Sequence, residues 1–170
     1  DPGNIPWRVG VGVNLCCFVL AQMALYLIAK EICSDKGALC TGLLYGFSAG
    51  AISTVLYVRC YMMLTMLALF LIYLDLRFVR TEKRWEKGLC LVGSAVLAVL
   101  CYRLHQFGII LFTVITLLFV FYALVKRKKN CLLWMAAGYG IPALVGAGYI
   151  IPQLKRLLTD NIAGIFYTSV

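Results

Sequence analysis

Long apolar runs broken by short clusters of charge divide the chain into six segments. They cover Val9 to Ala29, Gly37 to Val58, Cys60 to Leu76, Gly88 to Tyr102, Leu104 to Val125 and Asn130 to Ile151, with Pro142 interrupting the last. A bilayer core of about 30 Å takes roughly 20 apolar residues in a helix, which is close to the length of most of these runs. Backbone groups in lipid must be satisfied within their own segment or in a closed barrel, so uninterrupted runs of this kind predict helices. The expected fold is all-α, a polytopic transmembrane helical bundle of about six helices. The second and third runs meet at Arg59, which calls for a tight turn. The third and fourth are short alone, and reach spanning length if Arg77, Arg80, Lys87 and Arg103 extend their charged ends to the interface.

Composition agrees with this reading and removes the soluble alternatives. Of the 170 residues 63% are hydrophobic and 14% charged, and the mean hydropathy is +0.92, far from the usual balance of a soluble domain. With six crossings little chain is left for anything else, so residues 1–170 read as a single transmembrane domain. The run from Asp1 carries no basic, apolar and cleavage-site sequence like a secretory leader. The expectation is an internal piece of a longer chain, lacking a first helix and first outer loop.

The net charge of +9 would point to nucleic acid in a soluble protein, but these cations stand at the ends of apolar runs, beside Trp85 and Trp134. They alternate between the two sides. One side collects Lys30 and Lys36, then Arg77, Arg80, Lys83, Arg84 and Lys87, then Lys126, Arg127, Lys128 and Lys129. Cytoplasmic loops hold the excess of Lys and Arg, so loops 30–36, 77–87 and 126–129 are expected in the cytoplasm. Arg8, Arg59, Arg103 and the pair Lys155 and Arg156 fall on the other side. The bilayer is thus the first partner, and nucleic acid is not expected. Topology accounts for the basic loops, and a second reading lets 77–87 also hold an anionic lipid headgroup.

Eight cysteines contain no CxxC pair. Cys16, Cys17, Cys60, Cys90 and Cys101 lie in or at the ends of apolar runs, where cysteine packs as a small hydrophobe. Cys33 and Cys40 flank an expected cytoplasmic loop, where thiols stay reduced. One histidine with no acidic cluster beside it makes no metal site. The candidate chemistry lies on the outward turns. Arg59, in Tyr57-Val58-Arg59-Cys60-Tyr61, is either an interfacial anchor between tyrosines or a functional cation, since charge near membrane depth is costly. The other turn carries Arg103, His105 and Gln106, so both present groups suited to a phosphate or a sugar. Asp75, close to Arg77 and Arg80, reads as a local ion-pair partner.

In order, Asp1-Pro2-Gly3-Asn4-Ile5-Pro6-Trp7-Arg8, the helix reaching Leu25-Tyr26-Leu27, the stretch from Gly37 to Ser48, and Ser53 followed by Tyr57, Arg59, Tyr61 and Leu64 form a familiar series. From Trp7 to about Tyr139 the chain resembles the polytopic C-type glycosyltransferases, the superfamily of protein mannosyltransferases and lipid A aminoarabinose transferases, and above all their bacterial relatives. The family pattern S-x-x-x-x-x-R-x-Y-x-x-L is matched at Ser53, Arg59, Tyr61 and Leu64. Leu100-Cys101-Tyr102-Arg103-Leu104-His105-Gln106-Phe107 stands where the family has a Leu-Thr-His-Tyr-Tyr-like turn, with Cys101 to Arg103 replacing a small hydroxyl and His105 displaced. The resemblance implies transfer of a sugar from a polyprenyl-phosphate donor to an acceptor on the outer face of a bacterial cytoplasmic membrane. It makes Tyr57, Arg59, Tyr61, Arg103, His105 and Gln106 the candidate substrate-binding residues, with Arg59 at the donor phosphate. The family's acidic base lies in the first outer loop, ahead of Asp1, so no catalytic residue is assigned. No cofactor is visible, and the full-length protein has room for a divalent metal.

Two other classes stay open. Pro152-Gln153 is the dipeptide of PQ-loop carriers, small-molecule transporters in which a kinked helix supports alternating access, although the first three runs contain no proline. A noncatalytic membrane subunit or scaffold is the other, and an outer loop without a carboxylate ahead of the first run would mark it.

Overall fold

A computed structural model describes residues 4–56, 60–104, 107–126, 130–136 and 138–140, with single positions and pairs beyond these as far as Lys155. Among the described residues there are helices and no strands. The elements are α1 (Asn4–Ile32), α2 (Asp35–Gly46), α3 (Ala49–Leu56), α4 (Tyr61–Arg80), α5 (Arg84–Leu104) and α6 (Phe107–Val125). Residues 130–136 and 138–140 are also helical. Pro142, which interrupts the sixth run, lies outside the described residues.

α4 is the centre, packed on α1 along one side and α5 along the other, with α6 beyond α5. The pattern of small residues explains why. On α1 the buried positions Asn14, Cys17, Ala21, Ala24 and Ile28 recur every three or four residues, so one narrow stripe of mostly small side chains meets its neighbours. α5 buries Cys90, Ser94, Ala98 and Cys101 at the same spacing. Lipid tails are as apolar as leucine, so close approach across small residues drives helix association where hydrophobic burial cannot. Gly93 marks a close approach in the α4–α5 seam, because a Cβ there would stand 2.8 Å from Leu74 Cδ1.

Three expectations about the runs change. The third and fourth are not short: α4 continues through Arg77 to Arg80, and α5 starts at Arg84 and runs past Arg103. The helices carry their charged ends with them, so both reach spanning length as backbone. The second run is not one helix. It breaks at Phe47–Ser48 into α2 and α3, bent by 52°. Ser48 stabilises the break from both sides, its hydroxyl donating to Tyr45 O at 2.8 Å and accepting from Ala51 N at 3.2 Å. Serine with glycine nearby, here Ser48 two residues from both Gly46 and Gly50, is a setting in which helices kink sharply.

The third change is in the count. Trp7–Ile32 and Tyr61–Arg80 are long and apolar enough to cross a membrane, and α2 with α3 makes a third if the bent pair is one span. α5 is charged near both ends, and Ile110–Val125 within α6 is a shorter apolar helix among the described residues. An all-helical membrane bundle with two to three such spans stands on the described residues, fewer than the six runs of the sequence.

Candidate functional site

Two polar centres emerge, one buried in the α4–α5 seam and one at the end of the bundle. The buried one is Asp75, only 2% exposed. Its Oδ1 accepts from Ser94 Oγ at 2.8 Å and from the Tyr139 hydroxyl, while Oδ2 has no hydrogen-bond partner among the described residues. α4 supplies the carboxyl, α5 the serine, and the helical stretch after α6 the tyrosine. Tyr139 is itself held edge-on by Phe112, with ring centroids 5.5 Å apart. One carboxyl oxygen thus joins three elements around a cluster containing Phe78, Val79, Cys90, Leu91, Ala123, Cys131 and Met135.

Sequence reading made Asp75 an ion-pair partner of the nearby arginines, and the structure corrects this. Residues two apart do not face each other on a helix. Asp75 belongs instead with Ala68, Leu71, Phe78 and Val79, the buried face of α4. The three- and four-residue spacing of those positions was the available signal, and it places a carboxyl on an interior stripe.

Arg77 and Arg80 turn the other way, toward the end of α1. Arg77 pairs with Glu31 at 3.1 Å, and Arg80 reaches both the Glu31 carboxylate and its backbone carbonyl. Glu86, in the first turn of α5, accepts from Thr81 Oγ1 at 2.7 Å and pairs with Lys83 at 3.2 Å and Arg77 at 3.8 Å. The Thr81 hydrogen bond first, and Lys83 next, hold the Glu86 carboxyl below its ordinary value. Lys30 pairs with Asp35 at 3.3 Å in the turn between α1 and α2. The basic loops around 30–36 and 77–87 therefore meet at one end of the bundle. α6 brings Lys126 to the same end, because Ala123 packs among Phe78, Val79 and Cys90.

The opposite end carries two of the candidate binding residues, Tyr61 and Arg103. α4 and α5 form an antiparallel hairpin of 20 and 21 residues joined by a short turn, which brings Tyr61, at the start of α4, level with Arg103, at the close of α5. Tyr61 is 41% exposed, and Arg103 is exposed as well. Tyr57, Arg59, His105 and Gln106 lie outside the described residues, so what is placed is the pair of helix ends that carries them.

Further inside, α1 touches the broken span through two amides. Asn14 Nδ2 donates to Val55 O and Gln22 Nε2 to Gly42 O, both at 3.2 Å. Phe18 stacks on Tyr45 between these points, with centroids 5.8 Å apart. An open groove of about 430 Å³ runs beside Gln22 between α1 and α2, lined by Val19, Met23, Tyr26, Leu27 and Leu39. Its walls offer no acid or base. Cys17, Cys90, Cys101 and Cys131 are buried, whereas Cys16, expected to pack, is exposed with Cys33 and Cys40, and none of the eight is in a disulfide. No group of metal-ligating side chains forms among the described residues. Compared with known protein families, with curated proteins and with solved structures, the chain matches none.

Proposed function

We propose that the chain is part of a polytopic C-type membrane glycosyltransferase. The protein moves a sugar from a polyprenyl-phosphate donor to an acceptor on the outer face of a bacterial cytoplasmic membrane, with loops 30–36, 77–87 and 126–129 inside. The observation that carries the reading is the pattern Ser53…Arg59-x-Tyr61-x-x-Leu64 where α4 opens. The near-equal arms of the α4–α5 hairpin support it, since they set Arg103 at the same end as Tyr61. The acid-paired Arg77 and Arg80 are at the other end of this hairpin.

In this reading Arg59 holds the donor phosphate and stabilises charge as that phosphate leaves. A guanidinium suits the task because its planar fork matches phosphate oxygens two at a time. Tyr57 and Tyr61 flank it, and Arg103, His105 and Gln106 close the site from the second turn. The base that activates the acceptor belongs to the first outer loop of the family and is not among these residues. The carrier reading draws on the break between α2 and α3, since discontinuous helices line transporter sites. Here Ser48 caps the break on both sides, which makes it a closed bend rather than an open binding point.

The test is turnover of labelled polyprenyl-phosphate sugar by the full-length protein in liposomes. A charge-assisted hydrogen bond contributes about 1.5–3 kcal/mol, so Arg59→Ala lowers turnover roughly 10- to 100-fold. Arg59→Lys falls between the two. An Arg59→Ala protein that binds and turns over donor like the parent overturns the assignment.

A further inference from the structure

The basic end of the bundle contains more cations than its acids engage. Glu31 is taken by Arg77 and Arg80, Glu86 by Lys83 and Arg77, and Asp35 by Lys30. Glu82, in the turn before α5, is the one remaining acid at this end among the described residues, and it is exposed. Arg84 and Lys87, on the first turn of α5, and Lys126, just past the end of α6, have no carboxylate within ion-pair reach among the described residues. Arg84 and Lys126 are exposed and Lys87 half-exposed.

α5 also records the depth at which these cations stand. Its outward face is a continuous apolar stripe of Leu89, Val92, Val96 and Leu100, headed by Trp85, which is 64% exposed. The spacing of three and four residues keeps all five on one face, opposite the buried Cys90, Ser94 and Cys101. An exposed tryptophan at the top of such a stripe sits at headgroup level. Arg84 precedes it in the chain and Lys87 follows within a turn, so both stand at the level of lipid phosphates.

We propose that the start of α5 and the end of α6 form a binding site for an anionic phospholipid headgroup, with Arg84, Lys87 and Lys126 facing its phosphate; Lys87 is in register with Cys90 and Ser94, so the headgroup lies on the α6 side of α5, away from the Trp85 stripe. Charge complementarity selects the occupant. A zwitterionic lipid brings a compensating ammonium into a region that already has excess positive charge, and a monoanionic one does not. Trp85 selects the source, because it sets Arg84 and Lys87 at the depth of the lipid phosphates rather than out in solution. The site is independent of the glycosyltransferase reading, since it lies at the other end of the α4–α5 hairpin from Tyr61 and Arg103.

The test is native mass spectrometry of the full chain released from nanodiscs of equal phosphatidylglycerol and phosphatidylcholine, scoring the lipid that stays bound. Basic residues at a membrane surface contribute about 1 kcal/mol each toward anionic lipid. Arg84→Gln or Lys87→Gln then lowers the preference for phosphatidylglycerol roughly fivefold, and the double variant roughly 30-fold. Arg84→Lys keeps most of it, and Lys30→Gln, in the α1–α2 turn, leaves it unchanged. Should the double variant lose its helical signal, Lys126→Gln carries the same fivefold expectation from an exposed position on α6. The proposal is overturned if the double variant keeps the parent's preference, if the parent retains both lipids equally, or if inorganic phosphate strips the bound lipid as readily as added phosphatidylglycerol does.

Discussion

The seam between α4 and α5 and the seam between α1 and the broken span both use buried polar groups, in opposite ways. Across α4 and α5 a single carboxyl oxygen collects two hydroxyls from two other elements. Across α1 the amides of Asn14 and Gln22 each reach one backbone carbonyl, and the two contacts share no atom. The first is a hub, in which loss of one group strands its partners. The second is a pair of separate ties, one onto a carbonyl of α3 and one onto a carbonyl of α2. Polar residues in a bundle act as glue, but the cost of removing one depends on how many donors it leaves without an acceptor.

The hub therefore predicts the largest effect. Asp75→Ala leaves the Ser94 and Tyr139 hydroxyls without their shared acceptor in a cluster closed to water. An unsatisfied buried group costs about 1–3 kcal/mol, so the reconstituted protein loses about 2–6 kcal/mol in reversible unfolding for the two donors. Asp75→Asn retains an acceptor oxygen and loses less. If Asp75→Ala unfolds like the parent, the three elements are held by packing alone and the hub has no energetic meaning.

The ties predict a smaller and additive effect. Gln22→Leu removes its interhelical hydrogen bond to Gly42 O and Asn14→Leu its bond to Val55 O, each about 0.6 kcal/mol by the average for membrane helices. Asn14 contacts α3 and Gln22 contacts α2, and the bend at Ser48 lies between them, so the double variant should lose the sum of the two within a few tenths of a kcal/mol. A loss well above the sum would show that the two halves of the broken span move as one body. The comparison with the hub would then narrow to a difference of degree.

These two seams also separate what the sequence disclosed from what it withheld. Hydropathy and the alternation of basic loops were enough for helices, their order and the shared end of residues 30–36 and 77–87, because each rests on a property summed over many residues. The helix limits at Arg80 and Arg84 were missed because charge was treated as a boundary, whereas Arg77 and Arg80 simply extend from a continuing backbone. The break at Ser48 depends on one hydroxyl with two partners, Tyr45 O and Ala51 N, and a composition dominated by apolar residues hides it. Asp75 was legible only through its register with Leu71 and Phe78, and its neighbours in sequence, Arg77 and Arg80, pointed the wrong way. Ser94 and Tyr139 could not have been found as its partners, since 19 and 64 residues separate them from it. Of the candidate binding residues, Tyr61 and Arg103 are placed at one end of the hairpin, while Tyr57, Arg59, His105 and Gln106 fall outside the described residues.

The smallest effect lies at the surface, where the ion pairs of the α4–α5 turn contrast with both seams. Glu86 accepts from Thr81 and pairs with Lys83 and Arg77, and its carboxyl is held below the ordinary value of 4.5. A group whose folded value is depressed contributes stability that is fully present above its unfolded value and is lost as the pH falls through the folded one. Acid should therefore loosen this turn only below about pH 4.5. Exposed pairs are screened by salt, so the loss should shrink in high salt, unlike any change at Asp75, which is shielded from ions by the surrounding helices. Hydrogen exchange at the amides of residues 81–87 in the reconstituted protein checks this. Faster exchange on acidification after correction for the intrinsic rate, abolished in Glu86→Gln, is the expected outcome. The same acid response in Glu86→Gln would move the source of stability in the turn from this carboxylate to the backbone cap, in which Thr81 N donates to Arg77 O.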